Sequence, residues 1–374
     1  MNQEKPPRVS VVLPVRNAAA TVARAIASIG AQTFSDWELI VVDDGSTDGT
    51  REILREIARA EPRLRVIGRG PEGVAAAANT GAAAARGEFV ARMDADDVSH
   101  PERLAAQVAF LGAPENRDVG VVGCLVEFGG DRAAGVGYAL HVEWVNSLVT
   151  PDEIALNRFV EAPLANPSVM FRRELVARHG GYRDGDFPED YELWLRWLDA
   201  GVRMAKVPRV LLTWHDAPTR LTRMDARYAP EAFFRVKAEW IARELAGRGL
   251  LAPPPGVGSM SVAASAGVEL RRGREIPPDT RKIFVWGAGR PARKRAAHLL
   301  AHGVQIAGYI DVDGKKTGRG IGGTGLPVIA PENLPAPGEI FVLGYVAKRG
   351  VREDIRARLR ARGYVEGRDF LMCA

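Results

Sequence analysis

The sequence predicts an α/β fold: a mainly parallel sheet with helices on both faces, followed by a smaller second α/β unit. Three observations predict it. Short apolar, β-branched runs alternate with helix-like runs through the first two-thirds of the chain, the pattern of strands joined by crossover helices. Acidic clusters stand where the second and fourth of those strands end. A stretch rich in Gly, Pro, Ala and Ser, from Gly247 to Pro278, then separates this region from a fresh strand–turn–helix–strand pattern.

Taken in order, Val9 to Leu13 is a short apolar strand ending at Pro14, and Ala20 to Ile29 is helical. Glu38 to Val42 is a second strand running into Asp43-Asp44-Gly45. The run from Thr47 to Ala60 is again helical, with Asp48 near its start. Leu64 to Ile67 makes a third strand. Val74 to Ala85 is alanine-rich, and alanine is the strongest helix former. Glu88 to Met93 is a fourth strand leading into Asp94-Ala95-Asp96-Asp97. Further strands are predicted at 117–130, 168–171 and 210–212, and helices at 189–200 and 228–246. Past the Gly- and Pro-rich stretch, Lys282 to Trp286 is a strand, Gly287-Ala288-Gly289 a tight turn, Pro291 to His302 a basic helix and Val304 to Ile310 a strand. In open sheets of this kind ligands bind beyond the carboxyl ends of the strands, where the acidic clusters fall.

The chain has 374 residues and a formal net charge of +5, a length that favours two domains. The mild positive charge suits an anionic ligand such as a nucleotide diphosphate, or peripheral contact with an acidic membrane surface. It is too small and dispersed to argue for nucleic acid. Two cysteines, Cys124 and Cys373, make neither a metal site nor a disulfide framework and point to a reducing compartment. No apolar run reaches membrane-spanning length, and the first residues lack the apolar core of a signal peptide. A cytoplasmic protein, in peripheral contact with the inner face of the membrane, is the expectation.

Asp94, Asp96 and Asp97 repel one another unless a cation neutralises them. Hard divalent cations take oxygen ligands, and Mg²⁺ is usually held by one or two carboxylates plus phosphate oxygens. The spacing fits a metal bridging protein and diphosphate. It also fits an Asp-rich surface turn ahead of a helix near Pro101.

Several segments together carry a resemblance. They are 9–14 (VSVVLP), 28–50 (SIGAQTFSDWELIVVDDGSTDGT), 79–81 (NTG), 91–97 (ARMDADD) and 101–104 (PERL). In order and spacing this set closely resembles the N-terminal half of family 2 glycosyltransferases, densely over residues 8–112 and more sparsely to about residue 225. The resemblance implies a GT-A fold and an inverting transfer from a nucleotide sugar. It also implies that Pro14 and its neighbours line the nucleotide, that Asp44 binds the base or ribose, and that Asp94 and Asp96 are the Asp-x-Asp pair. Asp96 is then the first choice for metal contact, with Asp94 and Asp97 beside it on ribose or metal. Arg16 stands where the family usually has an aromatic residue, which makes it a candidate nucleotide contact. Asn79 joins this donor-binding set.

Phe187-Pro188-Glu189-Asp190-Tyr191-Glu192 resembles the family's Glu-Asp motif at a helix start, which assigns Asp190 as the base and Glu189 as its partner toward the acceptor. Chemistry asks for such a base, because an attacking hydroxyl must lose its proton. Acidic residues also favour a helix's first turn through the macrodipole, so the motif has a purely structural reading too. Asn166-Pro167-Ser168 and Gly180-Gly181-Tyr182 resemble landmarks on the acceptor side. His215, after Trp214, is a candidate metal ligand or diphosphate contact and equally a packing residue. Arg220 and Arg223 are candidates for the diphosphate, or part of a solvated basic face.

Gly287-Ala288-Gly289-Arg290-Pro291-Ala292, directly after a strand and with Asp311 at the end of the next, fits a dinucleotide-type fingerprint in its required context. Gly287, Gly289 and Asp311 are therefore candidate ligand contacts of a Rossmann-like module, which would otherwise serve packing or oligomerisation. The expected organisation is a glycosyltransferase domain over 1–225, a helix and linker over 226–278, and a Rossmann-like domain over 279–374.

The reading is a hexosyltransferase that uses Mn²⁺ or Mg²⁺, with a UDP-, GDP- or TDP-sugar as donor and a saccharide or lipid-linked acceptor. Two other readings stay open: a non-catalytic nucleotide-sugar-binding regulator, and an NAD-dependent oxidoreductase built on the C-terminal module. Homo-oligomer formation is compatible with all three.

Overall fold

The computed structural model describes residues 5–132, 135–216, 220–251, 279, 281–318, 320–321, 325–348 and 350–374. The chain divides into two compact units. The first comprises Met1–Ile154, Ala162–Leu198 and Val202–Asp225, and the second Ala155–Glu161, Asp199–Gly201 and Ala226–Ala374.

In the first unit the strands are β1 (Val9–Val15), β2 (Trp37–Asp44), β3 (Leu64–Arg69), β4 (Phe89–Arg92), β5 (Val98–Ser99), β6 (Val119–Gly129), β7 (Met170–Arg172) and β8 (Arg203–His215). They form one eight-stranded sheet in the order β3-β2-β1-β4-β7-β6-β8-β5. The half made of β1 to β4 is parallel, as the strand–helix alternation predicts. Beyond β4 the sheet is mixed: β7 is antiparallel to both β4 and β6, β6 is parallel to β8, and β5 closes the edge antiparallel to β8.

The inner strands β1 and β2 read as continuous apolar runs because both their faces are covered. Alternate residues serve opposite cores. Val9, Val11, Leu13, Leu39 and Val41 enter one, with Val22 and Ile26 of the helix Val22–Gly30 and Leu104 and Val108 of the helix Arg103–Gly112. Val12, Ile40 and Val42 enter the other, with Ala77 and Ala78 of the helix Val74–Ala84 and Trp194 and Trp197 of the helix Glu189–Asp199. Gly81 lets the alanine-rich helix lie close to the sheet, since a Cβ there would stand 2.4 Å from Val12 Cγ1 and 3.3 Å from Val42 Cγ2.

From β1 the chain moves outward to β2 and β3, then returns to place β4 on the other side of β1. That reversal is a topological switch point, and the crevice lies past the carboxyl ends of β1 and β4. Pro14 and Arg16 fall at the first of these ends, Asp94 to Asp97 at the second.

Several elements escaped the sequence patterns. The helices Val136–Asn146, Pro151–Asn157 and Glu174–His179 stand where no periodicity was legible. β8 extends over 203–215 rather than 210–212; its pairing with β6 carries three register shifts, which break the alternation along the strand.

The second unit is built on a five-stranded, all-parallel sheet. Its strands are β9 (Lys282–Trp286), β10 (Ile306–Ile310), β11 (Val328–Ile329), β12 (Ile340–Gly344) and β13 (Phe370–Met372), in the order β11-β10-β9-β12-β13. The helices Arg290–Leu300 and Val351–Ala361 belong to it, as does the long helix Pro230–Gly247. Buried Lys237 on that helix donates to the carbonyls of Phe159 (3.0 Å), Val160 (3.0 Å) and Cys373 (3.1 Å). The linker expected up to residue 278 lies, from residue 252 on, outside the described residues. Among the described residues no helix is long and apolar enough to cross a membrane.

Candidate active site

The floor of the crevice is a buried arginine pair. Arg92, the last residue of β4, donates Nη1 to Val12 O (2.9 Å) and Nη2 to Asp94 Oδ1 (2.9 Å). Arg103 donates to Pro167 O (2.7 Å) and Arg92 O (2.8 Å). Burying a guanidinium is costly unless its charge is matched, and Asp94 supplies the counter-charge for Arg92, although Nε of Arg92 and of Arg103 has no hydrogen-bond partner among the described residues.

Above this floor Asp96 and Asp97 diverge. Asp97 is buried, and its Oδ1 accepts the backbone N–H of His215 at 2.8 Å, which ties the loop after β4 to the end of β8. Its Oδ2 has no hydrogen-bond partner among the described residues, nor has Nδ1 of His215. Burial raises the Asp97 carboxyl well above its ordinary value, and the charge of Asp96 raises it further. Asp96 is raised too, by burial first and by Asp94; Arg220, whose Nε lies 3.7 Å from Asp96 Oδ2, opposes the shift. His215 is pushed down by burial and by Arg24, which favours the neutral imidazole.

The helix Glu189–Asp199 brings in the second carboxylate pair. Burial pushes Asp190 up to about 7, with the charges of Glu189 and Asp94 adding to the effect, against the bond from Tyr191 N–H at 2.7 Å. Glu189 is buried beside it. The loop before this helix is pinned from several sides. Asn79 binds both backbone groups of Tyr182, and the Tyr182 hydroxyl donates to Asn166 Oδ1 at 2.8 Å. Arg196 and Trp197 donate to the carbonyls of Gly180 and Gly181. Gly181 has to be glycine, because a Cβ there would stand 2.3 Å from Asn79 Oδ1.

At the donor end, Pro14 is half-buried in β1 and Arg16 is exposed just beyond it. Asn17, in the left-handed region at φ 52°, accepts the Thr47 N–H at 2.8 Å and donates its own N–H to Ser46 Oγ at 2.9 Å. The loops after β1 and β2 are thereby joined. Asp44 accepts the N–H groups of Glu72 (3.0 Å) and Gly73 (2.8 Å) and lies 3.4 Å from Arg69 Nε. These bonds place its carboxylate, and lone pairs remain for a ligand hydroxyl.

Residues 10–180 match the family described as glycosyl transferase family 2. EpsE of Bacillus subtilis, a protein named as a glycosyltransferase, is 35% identical over 204 residues, covering 53% of this chain and 69% of EpsE. The chain belongs to glycosyltransferase family 2. This family 2 chain is also 31% identical over 256 residues to the O-antigen biosynthesis protein RfbC of Myxococcus xanthus; that match covers 67% of this chain and 19% of RfbC. Among solved structures, residues 1–349 of S. aureus TarS in complex with UDP-GlcNAc align with TM-score 0.50 at 22% identity, over 64% of this chain and 66% of that one. That likeness concerns the fold.

In this glycosyltransferase, no group of three or more His, Cys, Asp or Glu side chains is arranged among the described residues to hold a metal ion by itself. The oxygen donors of Asp94 and Asp96, with the unpartnered Oδ2 of Asp97, nevertheless suit a hard dication that takes its other ligands from phosphate and water. The crevice brings Asp94, Asp96, Asp97 and His215 to one place and sets Asp190 within electrostatic reach of Asp94. Arg92 and Tyr138 had no role assigned from sequence. An arginine in an apolar strand, two residues before an aspartate, was a legible signal for the first. Tyr138 lies in a helix without a sequence signature.

In the second unit of this family 2 chain, Gly287 follows β9 at φ 119°, where a Cβ would stand 2.8 Å from Ala292 Cβ. Gly289 precedes the helix Arg290–Leu300 as its N-cap. Asp311 is turned onto the chain itself: it accepts the N–H of Ala288 and of Asp313, each at 2.9 Å, and lies 3.2 Å from Lys316 Nζ.

Proposed function

We propose that this glycosyltransferase moves a sugar from a nucleotide-sugar donor to an acceptor hydroxyl by single displacement, inverting the anomeric carbon. One arrangement supports the reading: Arg92 bonds Asp94 at 2.9 Å while its guanidinium carbon stands 5.8 Å from the ring of Tyr182, on the loop that leads into Glu189 and Asp190. In this reading the carboxylates suited to a cation and the carboxylate suited to a base face one crevice.

In this reading the donor nucleotide lies along the ends of β1 and β2, against Pro14, Arg16 and Asp44. Asp190 accepts the proton of the attacking hydroxyl, and Glu189 beside it orients the acceptor or the base. Asn79 contributes by placing Tyr182. Asp96, with Asp94, Asp97 and His215, would hold Mn²⁺ or Mg²⁺, which supplies charge stabilisation for the leaving diphosphate. Saccharide or lipid-linked acceptors of polysaccharide or lipopolysaccharide synthesis are the acceptor class, in keeping with the name of RfbC, and the working place is the cytoplasm or the inner face of the membrane. The second unit is read as an accessory ligand-binding module at the turn of Gly287 and Gly289, which Asp311 braces through the Ala288 N–H, at the point where its strand order reverses.

The test is incubation with UDP-, GDP- and TDP-sugars and Mn²⁺, with the anomeric configuration of the product read by NMR. An inverted product, lost on chelation and lost in Asp96→Ala and Asp190→Asn, is the expected result. Retention of configuration, or an Asp190→Asn variant as active as the parent, would overturn the assignment.

A further inference from the structure

Arg220 places its own positive charge beside Asp96. It follows β8, its side chain is only 8% exposed, and its Nε lies 3.7 Å from Asp96 Oδ2. Nη1 donates to the hydroxyl of Tyr138 and, at 2.7 Å, to the backbone carbonyl of His215. The guanidinium carbon stands 5.4 Å from the ring centre of Tyr138 and 5.5 Å from that of Trp214. The two rings are themselves 4.9 Å apart. This is a built seat: two aromatic faces, a hydroxyl and a carbonyl hold the guanidinium beside Asp96. Arg24, which donates to the backbone carbonyl of Asp96 at 3.0 Å, approaches the same loop but not the Asp96 carboxylate.

A guanidinium and a dication repel each other, and both are attracted to the same carboxylate oxygen. We propose that Arg220 is an internal counter-ion that competes with the divalent cation for Asp96, so that the cation binds well only together with the donor diphosphate. The diphosphate offers the guanidinium a new anionic partner, which arginine pairs with in bidentate fashion. Metal and nucleotide then bind synergistically, and neither alone fills the site. By linkage the coupling is reciprocal. The proposal rests on the metal-dependent reading above and adds to it an order: Asp96 is neutralised by the chain itself until a donor arrives.

Binding of Mn²⁺ is measured by loss of the free-ion EPR signal, first with Mn²⁺ alone and then at saturating UDP or GDP. The full-length parent is compared with Arg220→Met, Arg220→Gln and Arg220→Lys. Arg220→Gln retains a donor for Tyr138 and the His215 carbonyl without the charge, which guards against loss of fold in Arg220→Met. The parent is expected to bind Mn²⁺ alone weakly and on the order of tenfold more tightly with nucleotide, within the usual range of coupling. The two uncharged variants are expected to bind Mn²⁺ alone on the order of tenfold more tightly than the parent, with the nucleotide effect reduced to match, while Arg220→Lys stays near the parent. A merely structural arginine would not tighten metal binding when removed. Unchanged or weaker binding of Mn²⁺ alone in folded Arg220→Gln overturns the counter-ion role and leaves the transferase reading standing. A parent that binds no Mn²⁺ at any nucleotide concentration removes the metal reading, and the counter-ion role with it.

Discussion

Asn79 grips Tyr182 by both ends of its backbone: Nδ2 donates to Tyr182 O at 2.7 Å, and Oδ1 accepts Tyr182 N–H at 2.9 Å. A residue of the alanine-rich helix behind β1 thereby places the loop that leads into Glu189 and Asp190. The nearby charges of Arg92 and Asp190 act on the Tyr182 ring in opposite senses, so this clip joins the donor and acceptor halves of the crevice.

Asn79→Ala removes both bonds and leaves the backbone groups of Tyr182 without their partner. A loss of about 1–3 kcal/mol is expected, read as a lower midpoint in urea unfolding. Turnover should fall further than donor affinity, because the loop that is released carries the base. Asn79→Asp should not rescue, since a carboxylate accepts the Tyr182 N–H but repels the Tyr182 carbonyl.

The elevated Asp190 carboxyl sets a pH dependence. A base must be deprotonated, and burial followed by the charges of Glu189 and Asp94 pushes this one up to about 7. In the free enzyme, kcat/KM should therefore rise with pH up to about 7 and level off above it. A profile already flat from pH 5 would remove Asp190 from the role of base.

The same shift has a cost in stability. A carboxyl whose folded pKa lies above its unfolded value of 3.8 destabilises the fold increasingly from about pH 4 up to about 7. Asp190→Asn should therefore abolish transfer, by a factor of roughly 10² or more, yet raise the melting temperature at pH 8 by about 2–4 °C for each kcal/mol released. Calorimetry at pH 8 and pH 4 checks this, and the stabilisation should vanish at the lower pH.

Glu38 behaves in the opposite sense. Burial would raise it, but Ser10 Oγ at 2.7 Å and the backbone and guanidinium of Arg86 at 2.9 and 3.0 Å outweigh burial and hold it below 4.5. Its contribution is present above about pH 4.5 and is lost as pH falls through its lowered value. Glu38→Gln should cost about 1.5–3 kcal/mol at pH 7. The gap to the parent should close under acid, measured by denaturation at pH 7 and pH 3.

Strand and helix periodicity made the first half of the sheet legible. β1, β2 and β4 are inner parallel strands, buried on both faces, and such strands announce themselves as apolar runs whatever their neighbours. The acidic ends of β2 and β4 were legible for a related reason: charged residues directly after buried strands stand where a parallel sheet opens to ligands. β8 and the helix Val136–Asn146 were not legible in full. Strand β8 is shifted in register against β6, and the helix carries no regular apolar stripe.

The candidate site divides the same way. Asp94, Asp96, Asp97, Glu189 and Asp190 were named from the sequence, because acidic residue types in a given order are a local property of the chain. Their surroundings were not local. Asn79 holding Tyr182, and Arg220 seated on Tyr138 beside Asp96, join residues far apart in the chain that only folding brings together. Residue types and strand ends were determined by the sequence itself. Which charges are neutralised, which carboxyl is raised and which loop is clamped were decided by the tertiary structure, because burial and electrostatic coupling depend on distance in space, not along the chain.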